Sequence, residues 1–191
     1  MAPLRLHAVR GTADFEHADR WNFGARFVPG MPVDRARVRT TLTYALAPDV
    51  RVGLEYNPLA DDVGLLANWR AMAETETRPA ILLGTSSDRI GTEDGRAYFA
   101  TASKDLEGWL DVPVAPYAGV SYGESDDELA AIGGLSIRWS DRITSLHLWD
   151  GHNLHHVIEH ALARSTLGLV VVDLDGSYYA GISWNISFGG S

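Results

Sequence analysis

Five of the seven histidines fall within residues 147–160: His147, His152, His155, His156 and His160. Among them, His156-Val-Ile-Glu159-His160 has the H-x-x-E-H pattern. On a helix this pattern presents two imidazoles on one face to a zinc ion, with the carboxylate as general base toward a zinc-bound water. Leu154, Val157, Ile158, Ala161 and Leu162 follow helical spacing, so a helix is conceivable there. A catalytic zinc needs a third protein ligand, and the expected downstream glutamate is missing, because no Glu follows Glu159. Asp150-Gly151 also marks a hairpin turn between 143–149 and 155–162. In a strand His156 and His160 share a face, while Glu159 points to the other. His156, His160 and Glu159 are thus the candidate metal ligands. The expectation is that they are polar residues on a strand or loop, with no metal, no cofactor and no catalytic residue.

Other groupings offer less chemistry. Asp173-Leu-Asp175-Gly176 matches the start of a calcium loop but lacks its terminal glutamate, so it reads as a hairpin turn. Asp126, Asp127 and Glu128 read as a solvated turn. The stretch Gly84-Thr-Ser-Ser-Asp88 lacks the lysine and helix of a phosphate loop, and no neighbouring pattern makes Ser86 or Ser87 a nucleophile. The chain contains no cysteine, which excludes disulfides, thiolate metal sites and cysteine nucleophiles. With 25 acids against 16 bases the formal charge is −9. Such a chain disfavours nucleic acid, whose phosphates it would repel. Arg35, Arg37 and Arg39 form a local basic cluster that could meet an acidic partner or face solvent.

The elements that must position these residues are strands. Tyr178, Ala180, Ile182, Trp184, Ile186 and Phe188 alternate with Tyr179, Gly181, Ser183, Asn185 and Ser187, a period of two. The same alternation runs through 21–27, 41–46, 50–56 and 129–139. Pro48-Asp49, Asn57-Pro58, Asp94-Gly95, Asp150-Gly151 and Asp175-Gly176 supply the turns. The fold expected is all-β: an antiparallel up-and-down meander of ten to twelve strands closing into one barrel over residues 1–191. Residues 178–188 are the best-marked closing strand. Residues 1–30 are expected to form an irregular arm or a first hairpin, with a break at Gly30-Met-Pro32.

Alternation leaves the polarity of the barrel open. The Gly, Ser and Asn face of 178–188 suits a polar lumen inside an apolar outer band. The segments 50–56 and 80–86 are short for spanning strands of about 9–11 residues. The segment 167–174 is apolar on both faces, which suits a strand covered on both sides. No secretory signal is visible at the N-terminus, and no segment reaches the roughly 20 apolar residues of a spanning helix. A soluble or peripheral barrel is therefore the first expectation.

One region is similar to a known family. Arg78-Pro-Ala-Ile-Leu-Leu-Gly-Thr-Ser-Ser-Asp-Arg-Ile-Gly-Thr92 and Ala97-Tyr-Phe-Ala-Thr-Ala-Ser-Lys104 resemble the YjbH-like outer-membrane β-barrel family, as do 50–69 and 117–123 in flavour. The resemblance implies an outer-membrane barrel tied to exopolysaccharide production, and it brings no catalytic residues.

Three functions follow as expectations. The first is a non-catalytic scaffold or accessory subunit, docking as a peripheral protein on a membrane complex of the respiratory or photosynthetic kind. Its protein partners would be met through Trp21, Trp69, Trp109, Trp149 and the three arginines, because aromatic and arginine anchors dominate interfaces. The alternative is an outer-membrane barrel linked to exopolysaccharide export or envelope integrity. The third is a small-ligand-binding barrel or a metal-dependent hydrolase.

Overall fold

The computed structural model describes residues 19–189. They form a closed barrel of twelve antiparallel strands in which each strand pairs with its sequence neighbours. The strands are β1 (Trp21–Phe27), β2 (Val38–Ala47), β3 (Val50–Asn57), β4 (Asp62–Met72), β5 (Ala80–Ser87), β6 (Arg96–Ser103), β7 (Val114–Gly123), β8 (Glu128–Arg138), β9 (Ile143–Trp149), β10 (Leu154–Ala161), β11 (Ser165–Leu174) and β12 (Ser177–Phe188). Two one-turn helices interrupt the meander, α1 (Asp34–Arg37) and α2 (Glu107–Leu110). The barrel closes where β12 meets β1, from Trp21 opposite Phe188 to Phe27 opposite Ile182. Of the arm or hairpin expected over 1–30, residues 1–18 lie outside the described residues, and the rest includes the closing strand β1.

The turns follow their chemistry. Asp175 and Gly176 both take positive φ, 50° and 82°. This is the two-residue turn whose twist matches that of the flanking strands. Glycines also let strands approach closely. A Cβ at Gly119 would press into the Ala100 carbonyl oxygen, and one at Gly53 into the Leu42 carbonyl oxygen.

The polarity is the reverse of a soluble domain. Leu42, Leu54, Leu65, Val120, Leu129, Ile158, Leu169 and Ile182 are exposed on the outer face. The buried set is rich in polar groups instead, including Arg51, Glu55, Asn57, Thr101, Ser103 and Ser136. Exposed aromatic side chains gather at the two ends. Phe27, Tyr56, Tyr98, Tyr122, Trp149 and Tyr178 mark the end bearing the β1–β2 loop; Trp21, Trp69, Trp109, Trp139 and Phe188 mark the end near the chain termini. At the first end the tyrosine hydroxyls turn to loop carboxylates: Tyr98 donates to Glu124 at 3.0 Å and Tyr122 to Asp127 at 2.6 Å.

Among the described residues a small apolar core sits inside the barrel. The loop 28–37 folds into the mouth and packs Val28, Met31 and Ala36 against Val170 and Val172 of β11. This corrects the reading of 167–174 as a strand of a soluble core. Its inner face is covered by the barrel's own loop, while Leu167 and Leu169 on the other face are half exposed. The shorter strands do not prevent closure: β3 and β5, eight residues each, pair along their length with neighbours of eight to eleven.

Candidate functional site

The inward faces enclose a cavity of about 420 Å³ that takes residues from most of the strands. Its charged groups are arranged in two ways. Arg39 of β2 forms an ion pair with Glu55 of β3, which is 1% exposed. Asn57 donates to the other oxygen of Glu55 at 2.9 Å. Ser87 adds a further hydrogen bond to Glu55, so the pair is neutral and the carboxylate well held, although the Nε of Arg39 is buried without a partner. At the mouth, Arg35 donates to the Gly95 carbonyl at 2.9 Å and to the Thr92 hydroxyl, tying the β1–β2 loop to the β5–β6 loop.

The remaining charges on one wall are not matched. Register places Arg26 of β1 opposite Ser183 of β12, Ser183 opposite Gly168 of β11, and Gly168 opposite Glu159 of β10. Directly paired residues share a face, so these four form one row across adjacent strands. Arg26, Ser183 and Glu159 all line the cavity. The Nε of Arg26 and the hydroxyl of Ser183 are buried without a hydrogen-bond partner. Glu159 has neither an ion pair nor a hydrogen bond among the described residues.

The histidine cluster is divided by the strand. β9 and β10 pair His156 with His147, and His155 with Leu148. His155 faces inward and is 1% exposed. Its Nε2 lies 2.8 Å from Asp150, which also accepts backbone N–H bonds from His152 and Asn153 at 2.9 and 2.8 Å. Burial pushes the Asp150 carboxyl up, but the bonds from His155 and the two backbone amides outweigh it and hold the group below its ordinary value. His147 and His156 face outward. Their Nδ1 atoms are 2.7 Å apart, the His147 Nε2 lies 3.1 Å from the Ser145 hydroxyl, and Trp139 donates to that hydroxyl at 2.9 Å. A chain of contacts thus links Trp139, Ser145, His147 and the Nδ1 of His156 across this outer patch.

H-x-x-E-H is accordingly a strand, not a helix. His156 and His160 lie on the outer face and Glu159 on the inner, so the three candidate ligands do not converge. The structure instead brings Asp126, Glu128 and His152 together on the rim, all exposed, with ligand atoms within 4.8 Å of one another. Asp126 is already engaged by Arg89, and His152 sits 3.4 Å from Glu128. Only loop pairing could have revealed this cluster, since its members come from two separate turns.

The interface candidates are placed as follows. Arg35 is buried and Arg39 faces the lumen, each engaged by the protein's own groups. Arg37 pairs with Asp34 and donates to the Met31 carbonyl. Trp21, Trp69, Trp109 and Trp149 are exposed, but they divide between the two aromatic ends and do not cluster on one side.

No protein-family model matches the chain, and no curated protein matches it. Among solved structures it is similar to one described as "NanC porin structure in rhombohedral crystal form", with a TM-score of 0.53 over 88% of this chain and 99% of that one. The identity is 10%, so the likeness is one of fold alone.

Proposed function

We propose that this chain spans the bacterial outer membrane as a twelve-stranded β-barrel whose polar lumen receives small polar solutes. The reversed polarity carries the reading. An apolar outer surface in water would expose leucine, isoleucine and valine on strand after strand, whereas in a bilayer the same surface is solvated by lipid. Aromatic girdles at both edges and a polar interior complete the pattern of a transmembrane barrel, and the closed sheet leaves no unpaired edge in hydrocarbon. No helix among the described residues is long and apolar enough to cross a membrane, and this barrel needs none. The porin-type neighbour supports the same reading.

The outer apolar residues encircle the barrel. This argues against a scaffold docked through one patch, because a docking face would concentrate them on one side. The tryptophans expected to anchor a partner serve better as anchors at the two membrane–water boundaries.

Refolding decides the matter. Denatured protein diluted into detergent micelles or lipid vesicles is expected to fold, to float with vesicles in a density gradient, and to migrate faster on cold SDS gels than after boiling. A monodisperse folded protein in detergent-free buffer would overturn the reading.

A further inference from the structure

Buried or half-buried charges in proteins are paired, since an uncompensated ion loses its hydration without return. The lumen obeys this at Arg39 and Glu55, whereas Arg26, opposite Arg39 and sharing the field of Glu55 with it, makes no ion pair of its own among the described residues, and neither does Glu159. Three features coincide on that wall. A guanidinium has its Nε buried and unbonded, and a hydroxyl beside it has no partner. A carboxylate two strands further on has no partner among the described residues. Gly168, between hydroxyl and carboxylate, leaves the wall without a side chain, and a Cβ there would run into the Ser183 hydroxyl. The row thus offers one positive end, one negative end, a neutral polar group between them and a bare floor.

We infer that the row Arg26–Ser183–Gly168–Glu159 is a binding site for a zwitterionic solute, its carboxylate held by Arg26 and its ammonium by Glu159. A purely anionic ligand would leave Glu159 unpaired and repelling it; a purely cationic one would do the same to Arg26. Arg39 does not supply the anion end, because Glu55 already neutralises it. Three strand steps of about 4.8 Å separate the two backbones by roughly 14 Å along the wall. The side chains shorten this as they lean inward. The matching solute therefore carries its charges several bonds apart, as an ω-amino acid does. The inference rests on the membrane-barrel reading for the route by which solute reaches the lumen.

The test uses the full chain refolded in detergent micelles at pH 7, titrated by calorimetry with three probes of equal length: 6-aminohexanoate, 6-hydroxyhexanoate and 6-aminohexanol. Each charged contact in a partly desolvated site favours the probe that makes both, so 6-aminohexanoate is expected to bind about tenfold tighter than either singly charged probe. Glu159→Gln is expected to bring it down to the affinity of 6-hydroxyhexanoate, and Arg26→Gln to that of 6-aminohexanol. The wild-type comparison stands even if a variant does not fold, and heat-modifiable migration reports folding in each case. Equal affinity for all three probes overturns the site, as does tighter binding of 6-aminohexanoate that survives both substitutions. If a folded, vesicle-inserted protein shows no preference, the zwitterion site fails while the membrane reading stands. If the protein folds without detergent, the membrane reading itself has failed.

Discussion

Arg39→Ala would strip Glu55, 1% exposed, of its ion-pair partner and leave it the hydrogen bonds of Asn57 and Ser87. Removing one member of a buried pair costs about 3–5 kcal/mol because the other stays desolvated. The variant should unfold from micelles at correspondingly lower urea, and Arg39→Ala combined with Glu55→Gln should recover part of the loss. Asp150 gives a pH-dependent counterpart in the β9–β10 turn. Its carboxyl lies below its ordinary value of 3.8, so its contribution is present above that value and is lost as pH falls through the lowered one. Asp150→Asn should therefore destabilise the barrel by about 2 kcal/mol at pH 7, and the difference from wild type should close in acid below the carboxylate range. A gap that stayed constant down to pH 2 would assign it to lost geometry, not to charge. The residue scale is also where sequence reading reaches least. Arg26 looks like any polar alternate in a strand, and Glu159 like a metalloprotease base. What relates them is register across four strands drawn from opposite ends of the chain, which no local pattern carries.

At the scale of elements, periodicity was legible and polarity was not. Alternation along 178–188 identifies which residues share a face, and the observed β12 places Tyr178, Ile182, Trp184 and Phe188 together on the outside. It does not say which face is wet, because inverting the barrel preserves the period of two. The informative signal was the composition of the other face, where Gly181, Ser183 and Asn185 are small and polar where a water-facing strand would carry lysine and glutamate. The segment 167–174 obscured that signal, since the loop that buries Val170 and Val172 comes from the far end of the sequence. The two faces can be separated by substitution. Leu169→Arg on the outer face should cost about 2–4 kcal/mol in lipid, as a charge at the bilayer midplane does. Thr101→Ser on the inner face should cost under about 1 kcal/mol, since it keeps the hydroxyl and loses one methyl. Equal effects would contradict the assigned polarity. Gly119→Ala tests the strand spacing itself. Its Cβ meets backbone, which cannot rotate away, so a loss of about 1–3 kcal/mol is expected.

For the molecule as a whole, the decisive feature is the distribution of tryptophan along the barrel axis. Trp21, Trp69, Trp109 and Trp139 sit at the end near the termini, and Trp149 sits at the other end. Between them the outer face is mostly aliphatic, with Leu42, Leu54, Leu65 and Ile182, and Trp184 is the one tryptophan there. Indole rings prefer the headgroup boundary, where the ring is apolar and the N–H can be hydrated. Once the barrel is inserted, most of its indole fluorescence must arise near the two edges of the hydrocarbon layer. Lipids brominated close to the glycerol should therefore quench the intrinsic fluorescence more strongly than lipids brominated near the chain ends. A peripheral protein resting on one leaflet would also favour shallow quenchers, but only in the leaflet it touches. Bromolipid confined to one leaflet at a time separates the cases. A spanning barrel must lose fluorescence to quenchers on either side, with the larger loss on the side holding four of the six tryptophans. Quenching from a single leaflet would mean that the apolar belt does not cross the bilayer, and the lumen would then have no continuous path between two compartments.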